Sequence, residues 1–257
     1  MVAEERAGDA LAGAPTGDLA PPVELVPLLG GADAVCVWVN ELGGRTYRLT
    51  AADRVRYLKW ARAGSGLDLV GEAERMRWAG RFVPVPVVID VDPHGSWLLT
   101  EGVDARSAVH PMWRPHATTA AAAIGEGLRR LHEDAPVDGC PYDWSVEQRF
   151  ANAAARGLTP ESALAAPPPV DRLVVAHGDA CAPNTLLDAD GRFAALVDLG
   201  ALGVADRWAD LAVATMSLGW NFPVADVPTA ERALFEAYGV APDPVRIDYY
   251  RRLWNTT

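Results

Sequence analysis

Lysine is almost absent from this chain. Of its 23 basic residues only Lys59 is lysine, and the rest are arginine. A composition that dispenses with lysine elsewhere implies that this position needs a compact ammonium rather than a planar guanidinium, with chance survival as the plain alternative. Cysteine is scarce too. Cys36, Cys140 and Cys181 are odd in number, far apart and without metal-ligand spacing, so no disulfide framework is expected and the thiols should be reduced. No stretch reaches the roughly 18 uninterrupted apolar residues of a membrane-crossing helix. Met1–Ala10 lacks the basic start and apolar run of a signal peptide, and a cytoplasmic location with no membrane partner is expected. Positive charge is short overall: 34 acidic residues against 23 basic ones leave a formal net charge of -11. That argues against a nucleic-acid partner, which would want a basic face. It suits attraction of a cationic small molecule, although an acidic surface also simply keeps a protein in solution.

What remains is a chain for a folded core. Half of the 257 residues are hydrophobic and 22% are charged, enough for one domain or two small lobes. Residues 1–22, rich in Ala, Gly, Pro and Asp, read as a loosely held leader. Residues 23–102 read as a first lobe. Val35–Val39 and Arg45–Leu49 flank the turn Asn40-Glu41-Leu42-Gly43-Gly44 as a hairpin, and Thr50–Asp53 makes a second turn. Val55–Trp60 is a third strand whose alternation puts Val55, Tyr57 and Lys59 on one face. A helix is expected over Leu67–Gly80, then strands over Val87–Val91 and Ser96–Glu101, the prolines at 84 and 86 excluding helix between. Residues 103–257 turn helical, with helices expected over Thr118–Glu133, Val146–Ala155, Asp206–Leu218, Thr229–Tyr238 and Pro244–Leu253.

One stretch carries chemistry. An apolar run, Val174–Ala176, leads into His177-Gly178-Asp179-Ala180-Cys181-Ala182-Pro183-Asn184, and a second run, Ala194–Val197, delivers Asp198-Leu199-Gly200. The pattern H-x-D-x-x-x-x-N with a later D-x-G is what phosphoryl transfer asks for. One carboxylate, Asp179, orients and deprotonates the attacking hydroxyl, while Asn184 and Asp198 hold the magnesium that neutralises phosphate charge. The first lobe offers an independent half. Lys59 stands on the third strand thirteen residues before Glu72 on the following helix, the order in which an ammonium meets the phosphates and a carboxylate aims it. A solvated helix face is the alternative for Glu72 and its neighbour Glu74. The backbone amides of Asn40, Gly43 and Gly44 are candidates for close approach to phosphates, although a Gly-Gly turn is most often only a turn.

Taken together, NELGGRTYRL, RYLKWA, GEAERMRWAGRFVPVPVV, LLTEG, LRRLHEDAPVDGCPYD, VVAHGDACAPNTLL and LVDLGALGVADRWADLA resemble the aminoglycoside phosphotransferases, particularly the 3′-phosphotransferases, from about Asn40 to Ala214. Gly178 stands where protein kinases carry arginine, as in these small-molecule enzymes. The resemblance implies an α+β, two-lobed, protein-kinase-like fold, with a small five-stranded antiparallel sheet lobe and a larger, mainly helical lobe. It implies ATP as phosphate donor, with GTP left open, and Mg2+ as cofactor. Lys59 would contact the α- and β-phosphates and Glu72 would hold it. Thr100 and Gly102 would offer main-chain hydrogen bonds to adenine at the lobe junction. Asp179 would be the catalytic base, Asn184 and Asp198 the metal ligands, His177 a structural residue, Asp210 a brace for the loop, and Asp206 a helix cap. The acceptor would be a cationic small molecule, an aminoglycoside, in the helical lobe. Asp138, Asp143, Glu147 and Glu161 are candidates there for an acidic wall or for plain surface. Two departures bear on the acceptor: Ala201 replaces an arginine common in these enzymes, and the chain ends Arg252-Leu253-Trp254-Asn255-Thr256-Thr257 without an acidic, aromatic carboxy end. Another hydroxylated antibiotic or metabolite remains an alternative acceptor, and a nucleotide-binding pseudokinase the alternative class.

Overall fold

The computed structural model describes residues 12–52 and 54–256; the first half of the expected leader, Asp53 of the expected second turn, and Thr257 lie outside the described residues. The described end of the leader is fastened to the chain that follows it. Gly13 and Val39 exchange main-chain hydrogen bonds of 2.9 Å, and the Tyr47 hydroxyl donates to the Ala20 carbonyl at 3.3 Å.

After the short helix α1 (Val26–Leu29) come β1 (Asp33–Val39), β2 (Arg45–Ala51), β3 (Arg54–Trp60), α2 (Leu69–Ala79), β4 (Val88–Val91) and β5 (Trp97–Glu101). The five strands form one antiparallel sheet in the order β1-β2-β3-β5-β4. Its core is built on one face by Leu25, Cys36, Tyr47, Leu49, Leu58 and Leu99, all buried. Because side chains alternate along a strand, burying Leu58 turns its neighbour Lys59 to the opposite face, in register with Thr46 and Leu98. The helix expected from Leu67 begins at Leu69 because Asp68 caps it, its carboxylate accepting the Gly71 N–H at 2.8 Å.

The chain divides into two compact units, one running to Arg77 and including Pro86–Val103, the other holding Trp78–Val85 and everything from Asp104. Trp78–Val85, inside the stretch expected as a first lobe, thus groups with the second unit. The reason is packing within the second unit: Trp78 meets Tyr142 edge-on at 6.2 Å, and the Leu196 N–H donates to the Pro84 carbonyl at 3.0 Å. The second unit continues with β6 (Arg106–Ser107), α3 (Ala117–Asp134), α4 (Val146–Ala155), β7 (Leu173–Ala176), β8 (Thr185–Leu187), β9 (Phe193–Leu196), β10 (Gly203–Asp206), α5 (Trp208–Asn221), α6 (Val227–Tyr238) and α7 (Pro244–Thr256). β7 pairs with β10, and β6, β8 and β9 form a second small sheet. Strands of two to four residues leave no periodic signal, so β6, β8 and β10 escape a reading of the sequence. Asp206, expected to start a helix, ends β10 instead. Its carboxylate still accepts the N–H of Trp208, the first residue of α5, at 3.1 Å. α5 is buried from Trp208 through Thr215, and α3 buries Ile124, Leu128 and Leu131 at helical spacing. No helix among the described residues is long and apolar enough to cross a membrane.

Candidate active site

Strand β7 carries a fully buried Val174-Val175-Ala176 into the loop that begins at His177. The loop turns at Gly178, whose φ of +85° lies in the left-handed region, and a Cβ there would overlap the Ala201 carbonyl oxygen. No arginine fits that position. The two amides at the turn are held by one side chain: Asp210 on α5, fully buried, accepts the His177 N–H at 2.6 Å and the Gly178 N–H at 2.9 Å. His132 of α3 donates its Nε2–H to the same carboxylate at 2.9 Å, and the Tyr238 hydroxyl of α6 meets His132 Nδ1 at 2.8 Å. Three N–H donors outweigh the cost of burial and hold the Asp210 carboxyl below its ordinary range. His177 is itself buried. A carbonyl can only accept and an N–H only donate, so its Nε2–H donates to Val197 at 3.0 Å while Nδ1 accepts the Asp179 N–H at 3.3 Å. It ties the Asp179 loop to the residue preceding Asp198.

Asp179 is half-buried with both carboxylate oxygens engaged. Oδ1 accepts from the Cys181 thiol at 3.1 Å, and Oδ2 from Asn184 Nδ2 at 3.1 Å; the same nitrogen donates to the Asp179 carbonyl at 2.9 Å. With its nitrogen so committed, Asn184 keeps its amide oxygen for other work. Asp198 follows β9 in a left-handed conformation, φ +63°, rare for a residue with a side chain. Removal from water and the nearby Asp198 charge both push the Asp179 carboxyl up. The amide oxygen of Asn184 and the carboxylate of Asp198 are hard oxygen donors of the kind that could hold a divalent cation. Among the described residues no group of three or more His, Cys, Asp or Glu could hold a metal.

In the first unit Lys59 Nζ donates to Glu72 Oε1 at 2.6 Å. Glu72 is 5% exposed, whereas its neighbour Glu74 faces solvent. The hairpin turn is closed on itself. Asn40 Oδ1 accepts the N–H of Leu42 at 3.0 Å and of Gly44 at 2.7 Å, and its carbonyl accepts the Gly43 N–H at 3.0 Å. The Gly43 and Gly44 amides expected to face phosphates are thus bound to Asn40. Thr100 is buried in β5 between Tyr57 of β3 and Val88 of β4. The Gly102 N–H is donated to the Val55 carbonyl at 2.8 Å, a bond that a nucleobase reaching it would have to displace.

The four acidic candidates for an acceptor wall do not act as one group. Asp143 accepts the Ser145 N–H at 2.7 Å ahead of α4, Glu161 pairs with Arg252, Glu147 lies exposed in the first turn of α4, and Asp138 sits in a separate short turn. Sequence reading missed Cys181, Ser217, His132 and Tyr238. Only Cys181 carried a signal, as the second residue after Asp179; the others reach the loop through tertiary contacts.

A buried loop of this design, with its aspartate, amide and second aspartate, defines a phosphoryl-transfer enzyme of the kinase-like class, and residues 40–250 match the model of the phosphotransferase enzyme family. The chain belongs to that family. Among its relatives, streptomycin 3″-kinase of Streptomyces griseus is 33% identical over 255 residues, covering 87% of this chain and 92% of the relative. The crystal structure of an aminoglycoside-3′-phosphotransferase of type VIII superposes with a TM-score of 0.73 at 29% identity, covering 88% of this chain and 94% of that one. The aminoglycoside phosphotransferase APH(3″)-Id of Streptomyces rimosus, in complex with ADP and streptomycin, superposes at 0.67 with 27% identity, covering 90% and 98%. The α+β, kinase-like fold expected from the sequence is the fold observed, with an antiparallel five-stranded unit and a mainly helical one.

Proposed function

We propose that this chain transfers the γ-phosphate of ATP to a hydroxyl of an aminoglycoside antibiotic and so confers resistance to it, with Asp179 as catalytic base. The observation that carries the reading is the setting of Asp179: a half-buried carboxylate on a loop whose turn is clamped by buried Asp210, bonded to Asn184 and close enough to Asp198 to feel its charge. The streptomycin kinase among the relatives, and the neighbour that holds ADP and streptomycin, support the acceptor and the donor.

In this reading Asp179 accepts a hydrogen bond from the acceptor hydroxyl, aligns its lone pair and takes its proton as the new O–P bond forms. A raised carboxyl makes the better base. Lys59, fixed by Glu72, presents a point charge to the phosphates, which a guanidinium in its place would spread over a plane. The amide oxygen of Asn184 and the carboxylate of Asp198 would hold Mg2+, which supplies charge neutralisation on the phosphates when bound. The clamp on the His177 and Gly178 amides keeps the loop from reorganising during the reaction. The net charge of -11 draws in a polycation.

An ADP-release assay over a panel of aminoglycosides, macrolides and amino alcohols tests the acceptor. Turnover with at least one aminoglycoside, lost by 100-fold or more in Asp179→Asn with nucleotide binding kept, is expected from the roughly 100- to 10,000-fold worth of a general base. Turnover with amino alcohols or macrolides alone would replace the acceptor, and ATP binding without turnover on any of them would make the chain a pseudokinase.

A further inference from the structure

Two polar side chains beside the loop have no part in this scheme. Cys181 places its sulfur 3.1 Å from Asp179 Oδ1. Ser217 on α5 is completely buried, and its hydroxyl oxygen accepts the Ala182 N–H at 2.9 Å and Asn221 Nδ2 at 3.1 Å. Through the bond from Ala182, Ser217 holds the main chain immediately after Cys181. Asn221 is steadied in turn by the Ser217 carbonyl at 2.8 Å. Asn221 thus steadies Ser217, Ser217 holds the Ala182 amide next to Cys181, and Cys181 donates to Asp179. Burial first, then the neighbouring Asp179 charge, push the thiol far up, so Cys181 stays S–H and serves as a donor, not a nucleophile. An S–H is a weak donor. Oδ1 therefore keeps accepting capacity that the stronger amide donor of Asn184 draws from Oδ2.

We propose that Cys181, backed by Ser217, is a positioning residue for phosphoryl transfer: its thiol fixes the rotation of the Asp179 carboxylate and makes Oδ1 the oxygen that receives the acceptor's proton. The inference rests on the assignment of Asp179 as base. In the step, the acceptor O–H bond breaks and its proton passes to Oδ1 and then to solvent. The acceptor oxygen bonds to the γ-phosphorus, and the bridging P–O bond breaks with its electron pair leaving on the nucleoside diphosphate. The thiol is neither deprotonated nor oxidised.

Cys181→Ala, Cys181→Ser and Ser217→Ala, made in the full chain, test this. In ADP release, Cys181→Ala is expected to lower kcat about tenfold with the KM for ATP within about twofold, the pattern of an interaction that matters in the transition state. Cys181→Ser restores an O–H in the same direction and should hold kcat within about threefold of the parent. Ser217→Ala should fall between them. Unchanged kcat in Cys181→Ala overturns the proposal, and so does equal loss of kcat and melting temperature in the alanine and serine variants, which is the mark of mere packing. Infrared spectra in the S–H stretching region need no turnover. The Cys181 band, identified by its loss in Cys181→Ala, should lie below that of a free thiol and return toward it in Asp179→Ala, whereas an unshifted band overturns the contact. If no aminoglycoside is turned over, the acceptor assignment falls by itself, and the kcat comparison is made on acceptor-free ATP hydrolysis, where water supplies the hydroxyl.

Discussion

Gly178 turns so tightly under Ala201 that the space a Cβ needs is filled by the Ala201 carbonyl oxygen. Two constraints meet there, a left-handed backbone and a main-chain atom that cannot rotate away. Gly178→Ala is expected to displace the loop, lower the melting temperature by several degrees and remove most of the turnover. The left-handed conformation alone costs about 1 kcal/mol, and the overlap adds to it. Thermal melts and kcat on the same preparation check this.

Lys59 and Glu72 form a pair that arginine should not replace. Lys59→Arg is expected to raise the KM for ATP roughly tenfold or more, since hydrogen bonds to charged groups are worth about 1.5–3 kcal/mol and about 1.4 kcal/mol is a factor of ten. Glu72→Gln should raise it less, because the amide oxygen can still accept from the ammonium. Nucleotide titrations at fixed acceptor separate the two.

Asp210 makes stability depend on pH in a definite direction. Folding lowers its carboxyl below the ordinary aspartate value of 3.8, so the unfolded chain binds more protons. The contribution is complete above that value and lost as pH falls through the depressed folded value. Asp210→Asn should melt well below the parent at neutral pH, because two buried main-chain amides lose a charged acceptor, at about 1–3 kcal/mol each. The gap should close on acidification below about pH 4. Melting curves from pH 7 down to the acid limit read it directly.

Magnesium should be required through Asn184 and Asp198. Chelation is expected to abolish turnover and excess Mg2+ to restore it. Asn184→Ala and Asp198→Asn should each shift the Mg2+ dependence to higher concentration, by about tenfold for one lost ligand interaction of about 1.4 kcal/mol. A metal titration of initial rate decides, and an unchanged curve in both variants would remove these residues from the metal site.

Legibility followed the range of the physics. Periodicity within a strand or helix is local, so β1–β3, α3, α4 and the face of Lys59 could be read from the chain. The order of Lys59, Glu72, Asp179, Asn184 and Asp198 is a property of the sequence itself. The extent of burial was not legible in the same way: α5 is buried continuously from Trp208 through Thr215, which packing around the helix decides and its own sequence does not.

What the chain's residues determined by themselves was the type and order of the chemical groups, because phosphoryl transfer demands them and local propensity places each on a strand, a turn or a helix. What tertiary structure alone decided was how those groups are held. Asp210 comes 32 residues after Gly178 to clamp its amide, His132 comes 78 before Asp210 to share it, and Ser217 comes 35 after Ala182 to hold its N–H. No local pattern encodes such pairings, because a buried polar group must find its partner in space, wherever the chain has brought one.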